Sequence, residues 1–160
     1  MHIRPEQPDD KPAVHALVAV VFGQTQEADL VDALRQTGEL VVSLLAERDG
    51  HVIGHVGVSR LKSPGRALAL APVGVALHEQ RRGIGSALVR EALKHAARLG
   101  YAIVFVVGAP AYYSRFGFSS EAAAPFPCPY AGPNFMALWL SDDRMAPAPI
   151  VYADAFDALK

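Results

Sequence analysis

The chain has 160 residues, of which 51% are apolar and 19% charged, and its net charge is −1. That length supports a single domain over residues 1–160 with one core. The near-neutral charge excludes nucleic-acid binding by bulk electrostatics, and no apolar run reaches the roughly 18 residues of a membrane span.

In chain order, Ile3 to Pro8 reads as a short first strand. Met1 to Pro5 lacks a signal-peptide apolar region, so a cytoplasmic protein is expected. Asp9 and Asp10 suit an N-cap and Pro12 suits a first helical turn. Val14, Leu17, Val18, Val21 and Phe22 then recur at helical spacing, up to Gly23. Thr25 caps a second helix with Leu30, Val31 and Leu34 on its apolar side. Leu40 to Glu47 and His51 to Arg60 read as strands, and Asp49-Gly50 between them is a strong hairpin signal. Glu47 and His51, at the hairpin's flanks, are expected on the surface.

Ala67 to Leu77 is a third long strand with Pro72 and Gly74 inside it. Proline and glycine in a strand interior point to a bulge, which would open a slot beside this strand. Gly83 to Leu99 is the central helix, with Leu88, Val89, Ala92, Leu93, Ala96 and Leu99 toward the core. Ser86, Arg90, Lys94 and Arg98 form a polar stripe read as solvated surface. Ala102 to Val107 is the wholly apolar run of a buried parallel strand. Strand, helix and strand make a βαβ unit. A short helix then runs through Phe116 to Gly117, Glu121 to Pro133 is a loop, and Asn134 to Leu140 returns as a strand. Ile150 to Tyr152 is a candidate edge strand. The single cysteine, Cys128 between two prolines, excludes an internal disulfide framework and a cysteine-rich metal site.

The turn before the central helix carries the chemistry. It reads Gln80-Arg81-Arg82-Gly83-Ile84-Gly85-Ser86. Free backbone N–H groups and the helix dipole make such a turn an anion site. Gly83 and Gly85 let an anion approach the main chain, and Arg81 and Arg82 add charge. The physical reading is a pyrophosphate cradle. A Walker A loop would end in Gly-Lys-Ser/Thr, which is absent. A Rossmann fingerprint would need a third glycine where Leu88 stands.

What remains, Gln-x-x-Gly-x-Gly opening a helix, resembles the coenzyme A loop of the GNAT N-acetyltransferases. A second motif agrees: Tyr112-Tyr113-Ser114-Arg115-Phe116-Gly117-Phe118. In that family a helix at this place ends in Gly-Phe, with a tyrosine four residues before the glycine, here Tyr113. Ile3-Arg4-Pro5 resembles the family's opening strand. The tyrosine motif and Val151-Tyr152-x-x-Ala155-Phe156 resemble a bacterial subgroup of predicted N-acetyltransferases. That subgroup often has Gly-Asp-Pro before the tyrosines; here Gly108-Ala109-Pro110 lacks the carboxylate.

The resemblance implies a GNAT fold of the α/β (α+β) class: a central mixed, mostly antiparallel sheet, splayed at a bulged strand and flanked by about four helices. It implies acetyl transfer from acetyl-CoA, without a metal, to a primary amine on a small molecule or a protein or peptide. The alternative is a non-catalytic acyl-CoA-binding or sensing module on the same fold. No membrane or nucleic-acid partner is expected, and the protein would be a monomer or homodimer. Tyr113 would protonate the departing thiolate. Val73 and Val75 would bind pantetheine through the main chain, with Gln80, Arg81, Arg82, Gly83, Ile84, Gly85 and Ser86 around the pyrophosphate. The N–H region of Val75 would polarise the thioester carbonyl.

The base is less defined. Some members carry a glutamate on the central strand, but no acid lies between Ala67 and Leu77. His55 on the preceding strand is one candidate; a water relay to backbone carbonyls is another. His78 and Glu79 lie toward the phosphates, too far along to meet the amine.

Overall fold

The computed structural model describes residues 1–159. The strands are β1 (His2–Pro5), β2 (Leu40–Arg48), β3 (His51–Arg60), β4 (Ala67–Val75), β5 (Ile103–Val107) and β6 (Phe135–Trp139). The helices are α1 (Lys11–Phe22), α2 (Gln26–Gln36), α3 (Ile84–Arg98), and the single turns α4 (Pro110–Tyr113) and α5 (Ser120–Ala123). One six-stranded sheet runs in chain order, β1 to β6. Every neighbouring pair is antiparallel except β4 and β5. This is the mixed, mostly antiparallel sheet that the motifs imply.

Alternation along the strands buries both faces. Leu44, Val56, Val58, Leu68, Leu70 and Val104 pack under α3, whose Leu88, Val89, Ala92 and Ala96 are buried. Leu45 turns the other way, under Val14 and Val18 of α1 and Ala28 and Val31 of α2. Farther along that second face Phe105 packs against Phe126, edge-on at 5.0 Å, and is stacked with Phe135 at 5.4 Å. Leu34 of α2 and Phe156 join the same cluster. Arg35 ties α2 to the first strand's end by hydrogen bonds to Glu6 at 2.6 and 2.8 Å, and it also holds Asp32.

The turn signals hold up. Asp49 and Gly50 both have positive φ, +53° and +79°, as the tight hairpin needs. Gly23 ends α1 in the left-handed region at φ +70°.

Several boundaries differ. The first strand stops at Pro5, and Pro8–Asp10 is a 3₁₀ turn. Asp10 does not cap α1 with its side chain. Its carboxylate instead accepts from the Gln7 N–H at 2.7 Å and from the Arg4 guanidinium at 2.7 and 3.0 Å. Glu47 also binds Arg4, so it is part of a cluster rather than free surface. Leu99 is 58% exposed, because the helix ends at Arg98 and the chain turns away from the core. Val151 makes an isolated bridge to Ser63 rather than a strand. The segment from Glu121, expected as loop, begins inside α5. Among the described residues no helix is long and apolar enough to cross a membrane.

The feature that positions the site is the junction of β4 and β5. They pair only from Ala67 to Ala69 against Ile103 to Phe105. Beyond Ala69 the two strands separate. On its other side β4 stays paired with β3, but the register shifts between Val56 and Val58, with one extra residue on β4 around Pro72. The bulge expected from Pro72 and Gly74 is therefore present, and it bends β4 away from β5.

Candidate active site

A cleft of about 470 Å³ opens where β4 leaves β5, at the N-terminus of α3. Its β4 wall is Val73, Gly74 and Val75. The Ala76 N–H donates to the Ile53 carbonyl at 2.9 Å. Antiparallel ladders alternate hydrogen-bonded and non-bonded pairs. Hence Val75 opposite Gly54, and Val73 opposite Val56, turn their N–H and C=O groups away from β3, into the gap. The bulge thus frees two stretches of main chain that no strand covers.

The floor is the glycine turn. Arg81 and Gly83 both have positive φ, +66° and +80°, and Gly83 is the N-cap of α3. The first intrahelical bond is donated by the Ala87 N–H to the Gly83 carbonyl at 3.0 Å. The N–H groups of Ile84, Gly85 and Ser86 therefore have no carbonyl partner within the helix. A Cβ on Gly85 would lie 3.1 Å from the Tyr112 hydroxyl and 3.6 Å from Val75 Cγ2. Glycine there keeps the turn open to an anion. The turn fits a pyrophosphate: free donors, a helix dipole and the guanidinium of Arg81 at the rim.

Gln80 hydrogen-bonds the Val75 carbonyl through Nε2 at 3.0 Å, which latches the turn to the end of β4. Arg82 is not among the cleft-lining residues. It pairs with Glu79 at 3.1 Å, and Arg48 of the hairpin pairs with the other oxygen of the same carboxylate at 3.1 Å. Glu79 is 5% exposed, and it lines the cleft between the two arginines. Of the expected cofactor residues, Val73, Val75, Gln80, Arg81, Gly83, Ile84, Gly85 and Ser86 meet in one cleft.

Tyr112 and Tyr113 close the far wall. Their rings meet edge-on at 5.0 Å. The Tyr113 ring also packs on Phe118 and lies against Gly108, where a Cβ would stand 2.4 Å from Cε2. Burial, and then the neighbouring Tyr112 phenol, push Tyr113 up to about 12. The group therefore stays protonated at neutral pH, so it can supply a proton but cannot serve as a base. The Tyr112 hydroxyl reaches Ser86 Oγ at 3.3 Å, and its ring stacks under the Arg115 guanidinium at 4.5 Å. Sequence reasoning passed over Arg115 and Val21 as lining residues; the (i, i+3) spacing of Tyr112 and Arg115 was the available signal.

His55 does not reach this cleft. It is fully buried on the α1 face of β3, and its Nε2 lies 2.9 Å from Ser43 Oγ. Desolvation pushes its pKa down to about 4. A neutral, enclosed imidazole is not placed to meet an amine.

A sheet split at a bulged strand, a glycine turn at a helix N-terminus in the split, and a tyrosine over it define a coenzyme A-dependent acyltransferase fold. The model of the acetyltransferase (GNAT) family matches residues 8–118, and the chain belongs to that family. It is 38% identical over 151 residues to the uncharacterized N-acetyltransferase YhbS of Escherichia coli K12, spanning 91% of this chain and 90% of that protein. The crystal structure of YhbS in complex with CoA superposes with a TM-score of 0.90, at 35% identity over 98% of this chain and 91% of the other. A GNAT family acetyltransferase from Brucella melitensis, solved with acetyl-CoA, gives 0.84 at 31% identity over 98% and 97%.

Proposed function

We propose that this chain is an acetyl-CoA-dependent N-acetyltransferase in which the Gly83–Ser86 turn holds the pyrophosphate, Val73 and Val75 hold the pantetheine arm, and Tyr113 is the general acid. The observation that carries this reading is that one cleft joins the free donors of the turn, the stretch of β4 that β5 leaves uncovered and a protonated phenol. Two relatives above 30% identity, solved with CoA and acetyl-CoA, support the co-substrate. The sensing module considered as an alternative gains no support from the comparisons.

Acetyl-CoA supplies an activated acetyl group. The chain's residues do the rest. Donors on Ile84, Gly85 and Ser86 fix the phosphates, and the Val73 and Val75 main chain orients the arm along β4. The Val75 N–H lies on the gap side, where charge develops on the carbonyl oxygen. Tyr113 gives its proton to sulfur. The acceptor amine must be neutral to attack, although a free alkyl ammonium has a pKa of about 10.4. Its proton leaves through water to main-chain carbonyls at the gap, since no carboxylate of β4 is available. The acceptor carries a primary amine.

A thermal-shift titration with coenzyme A, followed by thiol release from acetyl-CoA over a panel of amines, tests the proposal. Stabilisation by coenzyme A with amine-dependent thiol release is expected; stabilisation without release on any amine would return the sensing module.

A further inference from the structure

The β4–β5 gap opens on both faces of the sheet. The cleft described above lies mainly on the α3 face, with Val21 of α1 reaching it from the other side. On the opposite face Ala69 and Ala71 of β4 and Phe105 of β5 line a second hollow of about 170 Å³, closed by Tyr130, Tyr152 and Phe156. The two spaces lie along one strand: Ala69 to Ala71 line the second and Val73 to Val75 the first. Only Pro72 of β4 stands between the two linings, so an acceptor seated in the second hollow lies one strand step from the acetyl carrier's cleft.

The lining is specific in its chemistry. No charged side chain lines this hollow among the described residues. Tyr152 meets Tyr130 edge-on at 5.5 Å and Phe156 in a tilted contact at 5.2 Å, forming a continuous aromatic wall. A polyamine, an aminosugar or a lysine-rich peptide carries extra cations, and burying those without carboxylates is costly. An apolar body gains from the same surroundings, and rings prefer the edge-on contacts such a wall offers. The volume is below the roughly 300–1,000 Å³ of drug-sized sites, which limits the occupant to about one ring. An apolar lining also disfavours the ammonium relative to the free amine, the form that reacts.

We propose that the acceptor is a small arylalkylamine, its ring in the Phe105–Tyr152–Phe156 hollow and its primary amine directed through the gap; this rests on the acetyltransferase reading above. In the step, the amine nitrogen bonds to the acetyl carbon and the carbon–sulfur bond breaks. The sulfur takes a proton from Tyr113, and the nitrogen releases one to water, which restores the phenol. The products are the N-acetyl amide and the free thiol.

The test uses phenethylamine, with 1,5-diaminopentane and a lysine-containing peptide as competitors. Phenethylamine should give a kcat/KM roughly 10–100-fold above either, the scale of discrimination by an apolar pocket. Calorimetric titration into the CoA-loaded protein should follow the same order. Ala71→Leu fills the hollow and should cut phenethylamine binding at least about tenfold while the thermal shift with coenzyme A persists. Tyr130→Ala, at a side chain 39% exposed, opens the wall without touching the core and should weaken phenethylamine in the same direction. Equal or better use of the diamine or peptide, or unchanged phenethylamine binding in both variants, overturns the inference. If coenzyme A itself gives no thermal shift, the acetyltransferase reading falls and this inference with it; a normal shift with no preference for phenethylamine defeats the inference alone.

Discussion

The ring of Tyr113 rests on Gly108, where a Cβ would stand 2.4 Å from Cε2 and 2.9 Å from Cδ2. The ring cannot swing freely aside, because Phe116, Phe118 and Tyr112 surround it. Gly108→Ala should therefore displace the phenol that the proposal uses as acid. Overpacking of this kind costs about 1–3 kcal/mol of stability. Misplacing a reacting group by ~1 Å can cost on the order of 10²-fold in rate. Turnover should fall by about that factor while coenzyme A still raises the melting temperature. Wild-type turnover in Gly108→Ala would show that Tyr113 need not stay where it is.

Tyr113→Phe removes one hydroxyl and little volume. Loss of a general acid should lower turnover by roughly 10²–10⁴-fold with coenzyme A binding retained. Tyr112→Phe removes only the 3.3 Å contact to Ser86, and less than about a tenfold change is expected. The pH profile supplies a second check. Tyr113 is held up to about 12, so the acid form persists across the working range. The rate should rise with pH as the acceptor loses its proton, with no falling limb from Tyr113 below pH 10. A large loss in Tyr112→Phe with near-normal Tyr113→Phe would reverse the roles.

Gly83→Val forces a β-branched residue to φ +80°, and Gly85→Val drives a side chain toward the Tyr112 hydroxyl. Both should abolish the thermal shift with coenzyme A, since only ligand that binds the native state stabilises it. Arg82→Ala should weaken binding less. Arg82 is paired with Glu79, and the backbone donors of the turn remain. Its effect should shrink as salt is added. An unchanged shift in both glycine variants would remove the phosphate assignment.

His55 makes stability depend on pH. Its folded pKa is lowered to about 4 by desolvation, against about 6.5 when unfolded. Between these values the unfolded chain binds more protons, so stability rises with pH. The contribution is fully present above about pH 6.5 and is lost as pH falls through about 4. The full difference is on the order of 3 kcal/mol. Denaturant melts at pH 7, 5.5 and 4.5 should show the loss, and His55→Gln should flatten it relative to wild type. The carboxyls of Asp10 and Glu47, held low mainly by hydrogen bonds from Arg4, add a further loss at more acidic pH. Parallel curves for His55→Gln and wild type would show that His55 is not a buried neutral group.

Local chemistry made much of this protein legible without coordinates. Asp49-Gly50 specified a hairpin because both residues accept positive φ. Pro72 marked the bulge because it cannot donate to a ladder. Gly83-Ile84-Gly85 marked the helix start, and the apolar run of β5 announced a strand covered on both faces. Each signal depends on a few adjacent residues, so it survives in a linear reading. The element ends were less legible: where β1 stops, or whether Leu99 turns inward, depends on what packs there.

Side-chain partnerships came only from the tertiary structure. Arg82 looked free for a phosphate but is paired with Glu79, which Arg48 holds from a hairpin 31 residues away. His55 looked like a base on a strand, yet α1 covers that face and enclosure keeps the ring neutral. Tyr112 and Tyr113 are equivalent in composition; the ring contact with Gly108 and the hydroxyl contact with Ser86 separate them. The second hollow joins Ala69, Phe105 and Tyr152, which no motif links. Backbone conformation answers to neighbours in sequence. Burial, charge pairing and cavity shape answer to neighbours in space, and those are chosen only when the sheet closes and its faces are covered.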